Sequence, residues 1–194
     1  RALLFISGFA ANQAVIAALH YPENLSEGRL PGQTDNDIWF WQAVCANAQG
    51  DETEATRCLR LAATGDRTIN IHSYYNDQPV DYLFWQGMAL RLLGEQHTAQ
   101  QLFSEMKQWA QEMAKTSIEA DFFAVSQPDL LSLYGDLQQQ HKEKCLMVAM
   151  LAAAGLGEVA HYESARAELM AINPAWPKAA LFTTVMPFIF SYVH

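Results

Sequence analysis

Residues 82–95 read YLFWQGMALRLLGE, and residues 38–51, which lie 44 positions earlier, read IWFWQAVCANAQGD. The two stretches match position by position as apolar runs that end in glycine followed by an acidic residue. Glycine ends a helix readily because it adopts the left-handed backbone conformation at little cost. The stretches therefore predict helices that end at Gly50 and Gly94, and Gly157 ends a third, less regular copy over residues 144–157.

A second apolar pattern follows each of these predicted helices. It has the spacing i, i+4, i+7 and consists of Ala55, Leu59 and Ala62 in the first copy and Ala99, Phe103 and Met106 in the second. This spacing is one face of an α-helix. Two helices joined by a short turn form an antiparallel hairpin, and a single hairpin cannot bury its own apolar stripe. The hairpins are therefore expected to stack.

The predicted fold class is all-α, a tetratricopeptide-like stack of antiparallel helical hairpins (an α-solenoid) with two irregular inter-repeat insertions. We predict a single helical-repeat domain over residues 1–194 that comprises a partial hairpin 1–20, hairpins 36–63, 80–113 and 143–173, an insertion 114–142 and a C-terminal apolar segment 174–194. The other insertion covers residues 64–79. In the third hairpin Tyr162 stands where a small residue is expected at the tight crossing, so the sequence leaves its register open.

Composition and charge limit the classes of partner. The chain is 51% apolar and 17% charged, which is typical of a folded protein. Its 21 acidic and 12 basic residues give a formal net charge of -9. Nucleic acids and anionic membrane surfaces attract clustered lysine and arginine, so neither is an expected partner. The apolar residues 179–194 contain Pro187 and fall short of the roughly 20 residues of a membrane helix. We expect them to pack against the protein.

The residues that carry chemistry form no recognisable catalytic or cofactor motif. Three cysteines without CxxC spacing, Cys45, Cys58 and Cys145, predict free thiols and a cytoplasmic location. His141 and Cys145 stand at i, i+4, which could place two soft metal ligands on one face, although coincidence is the favoured interpretation. We predict no metal, no cofactor and no enzymatic activity.

The repeats resemble the tetratricopeptide consensus, with Gly87 midway along the first helix and Ala99 and Phe103 in the second. Three segments between repeats, YPENLSEG at 21–28, YYNDQP at 74–79 and FAVSQPD at 123–129, are similar to the C-terminal helical region of large bacterial proteins. Those proteins carry an N-terminal galactose-mutarotase-like β-sandwich domain of unknown function. The resemblance implies a chain cut from such a protein, with any sugar chemistry outside these 194 residues.

The resemblance also implies where a stack of this type binds, because its concave face is lined by the first helix of each hairpin. The corresponding positions are Phe40, Val44, Phe84, Met88, Met147 and Leu151. None of them is a lysine, so a clamp for a peptide carboxylate is disfavoured. An open apolar face is an aggregation hazard, so we expect it to be filled, preferably by the same polypeptide. The tryptophans Trp39, Trp41 and Trp85 are expected to pack in the core.

The two insertions supply the other candidate binding residues. They are Tyr74, Tyr75, Asn76 and Asp77 in the first insertion and Phe122, Phe123 and Asp129 in the second. Aromatic rings beside amide and carboxylate groups suit a sugar or a peptide, which they bind by stacking and hydrogen bonding. The favoured interpretation is structural, since Asn-Asp and Gln-Pro form turns and Asp77 is placed to cap a helix.

These observations predict a non-catalytic scaffold that mediates protein–protein or interdomain interaction within a larger, carbohydrate-related bacterial protein. Its expected partner is an upstream domain of the same polypeptide or another protein, and a homo-oligomer stays open as an alternative. The competing hypothesis is a saccharide-binding module that uses the insertion loops.

Overall fold

The computed structural model describes residues 34–70, 78–119, 136–176 and 178–193. These ranges contain seven α-helices and no strand, so the predicted all-α class is confirmed. In chain order the helices are α1 Asn36–Ala48, α2 Glu52–Ala62, α3 Asp81–Leu92, α4 Gln96–Met113, α5 Leu137–Leu156, α6 Val159–Ile172 and α7 Ala179–Val193. The tetratricopeptide-type solenoid and its insertions stay predictions.

The helices belong to two compact units. Among the described residues, the first unit contains 34–66 and 85–96, and the second contains 67–70, 78–84, 97–119, 136–176 and 178–193. Helix α3 therefore begins in the second unit and continues in the first. The single-domain organisation stays a prediction.

Three glycines end helices in the way that the sequence predicts. The φ angles of Gly50, Gly94 and Gly157 are 80°, 86° and 76°, in the left-handed region. After each glycine the next backbone N–H donates to a carbonyl five residues earlier, at 3.0 Å from Asp51, 2.9 Å from Glu95 and 2.8 Å from Glu158. This bond belongs to the Schellman motif and satisfies a carbonyl that the helix leaves free. The predicted helix ends at the three glycines are confirmed.

A buried amide fixes the hairpin of α1 and α2 in the first unit. The side chain of Asn36 is fully buried, and its Nδ2 donates to the carbonyls of Ala62 at 2.7 Å and Thr64 at 2.6 Å. These carbonyls lie at the end of α2, where no helical N–H remains to bond them. Asp51 caps the start of α2 by accepting from the N–H of Glu54 at 2.9 Å. Both ends of α2 are thus held by side chains.

Helix α5 of the second unit begins before its predicted boundary. The predicted insertion 114–142 includes its first turns, because the helix starts at Leu137 and not at 143. Asp136 caps it by accepting from the N–H groups of Gln138 and Gln139 at 2.9 and 3.3 Å. Residues 137–142 read LQQQHK and have no apolar stripe, so periodicity alone does not mark them as helix.

The close crossing in the second unit occurs at Gly155 of α5. A Cβ built on Gly155 would lie 2.3 Å from the ring of Phe103 on α4. Only a residue without a side chain allows this approach, so α4 and α5 pack with one aromatic ring directly against the backbone of α5. A second link is the ion pair between Lys107 of α4 and Glu158, at 2.7 Å.

The apolar C-terminal segment forms α7 and packs against other helices of the second unit. Its side chains Phe182, Met186 and Ile189 are buried, as expected for a packing segment. Across the described ranges we find no helix with the length and apolarity that a membrane span requires.

Replacing Gly155 by alanine tests the close crossing. In an exposed helix this change stabilises by about 1 kcal/mol through helix propensity alone. Because the new methyl group overlaps the ring of Phe103, we expect destabilisation by about 1–3 kcal/mol in urea unfolding. Phe103→Leu should lower the free energy of unfolding less in the Gly155→Ala variant than in the wild type. A double-mutant cycle measures this difference. A Gly155→Ala variant as stable as the wild type would contradict the proposed crossing.

Candidate functional site

The predicted concave-face residues are largely core. Phe40, Phe84, Met88 and Leu151 are buried, whereas Val44 and Met147 are half-buried. Phe40, Val44 and Met88 belong to the first unit, and Phe84, Met147 and Leu151 to the second.

At Phe84 the predicted face is covered by the same polypeptide. The ring centroid of Phe84 lies 6.0 Å from that of Phe103 and 6.1 Å from that of Phe182 on α7. The apolar segment was one of the occupants expected at this face.

The insertion-loop candidates Tyr74, Tyr75, Asn76, Asp77, Phe122, Phe123 and Asp129 lie outside the described residues. The saccharide hypothesis that depends on them therefore stays a prediction.

His141 and Cys145 come together, but in an arrangement that suits structure better than metal binding. The Nε2 atom of His141 lies 2.9 Å from the carbonyl oxygen of Met113 and 3.8 Å from the sulfur of Cys145. A carbonyl only accepts, so we assign the proton to this nitrogen, and the lone pair of the ring then lies on Nδ1 and not on the nitrogen next to Cys145. His141 thereby ties α5 to the end of α4. Within the ranges that the structure covers, no cluster of three His, Cys, Asp or Glu side chains could hold a metal.

All three cysteines lie in described ranges and are free thiols. Burial raises the pKa of Cys45 and of Cys145, and it is the largest cause that raises the pKa of Cys58 to about 12. Since the thiolate is the reactive form, these groups stay protonated at neutral pH and act as small apolar side chains.

A half-buried indole ring and an exposed guanidinium lie together on the first unit. Trp85 is buried, as predicted for all three tryptophans, but Trp39 and Trp41 are only half-buried. The guanidinium carbon of Arg57 lies over the ring of Trp39, 5.2 Å from its centroid. An arginine over an indole is held by the attraction between a cation and the ring face.

Arg57 is fixed in this place by an ion pair. Its Nε and Nη2 donate to the two carboxylate oxygens of Glu54 at 2.7 and 2.6 Å. A bidentate pair fixes the orientation of the guanidinium as well as its position. Gln42 of α1 adds a bond from its Nε2 to Glu54 at 3.4 Å. We call Trp39, Gln42, Glu54 and Arg57 the Trp–Arg surface.

An open hollow adjoins the Trp–Arg surface. Its volume is about 700 Å³, and it is lined by Glu52, Thr53, Thr56, Arg57, Arg60 and Leu61. Residues 53, 56, 57 and 60 follow the spacing i, i+3, i+4, i+7 and so lie on one face of α2. This face of α2 offers two guanidinium groups and two hydroxyl groups beside an indole ring.

The ion pair of the Trp–Arg surface keeps its charges over a wide range of pH. The hydrogen bonds from Arg57 are the main cause that lowers the pKa of Glu54 to about 2, and the same bonds raise the pKa of Arg57. Arg57 therefore stays a cation above Trp39 wherever the protein is folded near neutral pH.

Replacing Glu54 by glutamine tests the contribution of this ion pair. A carboxyl whose pKa falls from 4.5 to about 2 on folding stabilises the folded state above pH 4.5 and loses this contribution as pH falls to about 2. The pair is solvent-exposed, so we expect the variant to be less stable at pH 7 by about 0.2–1 kcal/mol. The difference in unfolding free energy between the wild type and Glu54→Gln, measured in urea, should shrink as the pH falls from 4.5 to 2. Glu52→Gln, which removes the same charge from the same helix, is the control. A stability difference between the wild type and Glu54→Gln that does not change with pH would refute the ion pair with Arg57.

Comparison with known proteins assigns no function to the chain. No known protein family matches its sequence, and no solved structure matches it.

Proposed function

We propose that this chain is a non-catalytic helical-repeat scaffold that mediates protein–protein or interdomain interaction. The observation that carries the proposal is the Trp–Arg surface, where half-exposed Trp39 lies beneath the guanidinium of Arg57. Tryptophan and arginine are the residue types most enriched at the energetic centres of protein interfaces.

The arrangement of the Trp–Arg surface favours binding because it is formed in advance. Immobilising a flexible side chain on association costs about 0.5–1.5 kcal/mol. Arg57 is already held by Glu54 and by the ring of Trp39, so a partner meets it in one orientation. A guanidinium has five N–H donors, and the bonds to Glu54 come from only two of its nitrogens.

The charge of the surface indicates the chemistry of the partner. On a chain with a formal net charge of -9, a helix face with both Arg57 and Arg60 is a favourable place for a carboxylate. A partner that presents an apolar group to Trp39 and an acidic group to Arg60 would match both features. The resemblance to bacterial proteins with a galactose-mutarotase-like β-sandwich makes that upstream domain the first partner to test.

The proposed tetratricopeptide-type architecture has support of its own. The turns at Gly50, Gly94 and Gly157 share one backbone geometry, as repeated hairpins would. The contact between Gly155 and Phe103 is the kind of close helix crossing that a stack of hairpins requires. We propose a cytoplasmic location on the basis of the free thiols alone.

Alanine substitutions at Trp39 and Arg57 test the proposed surface. We expect each to weaken binding of the chain to the upstream β-sandwich domain by at least about 30-fold, as for a residue at the centre of an interface. Isothermal titration calorimetry gives the dissociation constants, and circular dichroism establishes that each variant is folded.

The matched control is Arg67→Ala, which removes an exposed arginine outside the Trp–Arg surface and should leave the affinity within about twofold, since isolated surface charges contribute little. Folded Trp39→Ala and Arg57→Ala variants that bind as the wild type does would disprove the assignment of this surface.

A further inference from the structure

Helix α7 lies within the second unit with one apolar face turned inward. Phe182, Met186 and Ile189 follow the spacing i, i+4, i+7 and are all buried. The ring of Phe182 meets that of Phe84 on α3 nearly at right angles and stacks on that of Trp176, with centroids 6.1 and 5.8 Å apart. An amphipathic helix that occupies a groove places its apolar residues at this spacing.

The groove that receives α7 is formed by several helices. Besides the contact with α3, α7 contacts α5, and Phe190 meets Tyr162 of α6 with centroids 5.4 Å apart. Arg166 of α6 donates to the hydroxyl of Thr183 at 2.8 Å. We call the surface of α3, α5 and α6 that α7 covers the α7 groove.

One ion pair marks the entrance of the α7 groove. Lys178, just before α7, pairs with Asp81 in the first turn of α3, and Asp81 is only 3% exposed. The other contacts are mainly between apolar groups, which attract without strict direction. The groove therefore selects a helix by the spacing of its large apolar residues and by a lysine four residues before the aromatic one.

Helix α7 has little helical stability of its own. Pro187 lies inside it, and an interior proline removes a backbone hydrogen bond and clashes with the preceding turn. No acidic residue occupies its first turn and no basic residue its last, so the helix dipole is not compensated. The helix thus depends on the groove and loses much of its order when it leaves.

The connection to α6 is suited to opening. Among its described residues, backbone bonds run from the N–H of Trp176 to the carbonyl of Asn173 at 3.1 Å and from the N–H of Ala179 to that of Trp176 at 3.0 Å. The side chain of Asn173 adds a bond from its Nδ2 to the carboxylate of Glu143 at 2.9 Å. Asn173 and Trp176, whose carbonyls accept the backbone bonds, are each followed by a proline, Pro174 and Pro177. A residue before proline favours an extended backbone. An extended connection gives up these two backbone bonds and carries α7 away from its own groove.

We propose that α7 is an exchangeable occupant of its groove, and that a second copy of this chain supplies the helix that replaces it. The sequence that fits the groove is the chain's own, so a second copy offers every contact that α7 makes within one chain. Two copies then associate by exchanging α7, each completing the other's groove with Phe182 and Lys178. Such an exchange costs little because the same contacts form before and after it.

A labelled peptide of residues 176–193 tests whether the groove accepts a second helix. We expect saturable binding to the intact chain in fluorescence anisotropy. Phe182→Ala in the peptide should weaken binding by at least about 100-fold, because a buried aromatic ring is lost. Leu181→Ala is the matched control, since Leu181 is 41% exposed and is not one of the buried residues of α7, and should change binding less than about threefold.

The same substitution in the chain should have the opposite effect. Phe182→Ala in the chain weakens the internal competitor, so the wild-type peptide should bind at least about tenfold more tightly, because more grooves are open. If that variant does not fold, Lys178→Ala, which removes only the ion pair to Asp81, should tighten binding in the same direction. An α7 that is simply part of the core predicts no peptide binding to the wild type or to either folded variant, which would overturn the proposal.

Mixing two differently tagged chains identifies the source of the second helix. We expect a mixed dimer by light scattering and co-purification, rising with concentration and lost when an excess of the peptide of residues 176–193 occupies the grooves. Peptide binding without a mixed dimer would overturn the second copy as occupant and assign the groove to a helix of another protein. Neither experiment involves Trp39 or Arg57. A negative result for α7 exchange therefore does not affect the proposed function of the Trp–Arg surface.

Discussion

The second unit depends on the space that Gly155 leaves for the ring of Phe103. With a Cβ at that position the ring would have to move, since the two atoms would lie 2.3 Å apart. Phe103 in turn contacts Phe84, Phe84 contacts Phe182, and Phe182 stacks on Trp176, with centroids separated by 6.0, 6.1 and 5.8 Å. A close-packed interior transmits displacements from one side chain to the next. The place of α7 is therefore coupled to a glycine two helices away.

Local signals in the sequence were sufficient to predict the three helix ends at glycine and the apolar stripes of α2 and α4. The glycine turns followed from backbone conformation, and the stripes of α2 and α4 followed from spacing, because both properties belong to short stretches of chain. The start of α5 was missed because its first turn is polar and its cap, Asp136, acts through one hydrogen-bonding side chain. The sequence alignment places the tight crossing at Tyr162, but Tyr162 is buried against Phe190, and Gly155 on the neighbouring helix supplies the close approach.

The candidate surface was less predictable than the fold because it depends on contacts between separate helices. Trp39 was expected in the core, and its spacing along α1 gave no reason to expect Arg57 of α2 above its ring. The bond between Glu54 and Arg57 has the local spacing i, i+3, but its consequence for Trp39 arises only when the hairpin closes. Sequence patterns report which face of a helix is apolar, and not which side chain of a neighbour covers it.

Apolar contact alone does not determine how a helix as hydrophobic as α7 lies against its neighbours. Dispersion and the burial of apolar surface stabilise many similar arrangements. A helix with few polar groups can therefore slide or rotate with little loss of free energy. Asp81 removes this ambiguity, because a carboxylate that is 3% exposed is strongly disfavoured without a partner. Lys178 satisfies it in only one register, which also places Phe182 against Phe84. The apolar residues thus supply the attraction that holds α7, and one buried charge selects the position in which it is held.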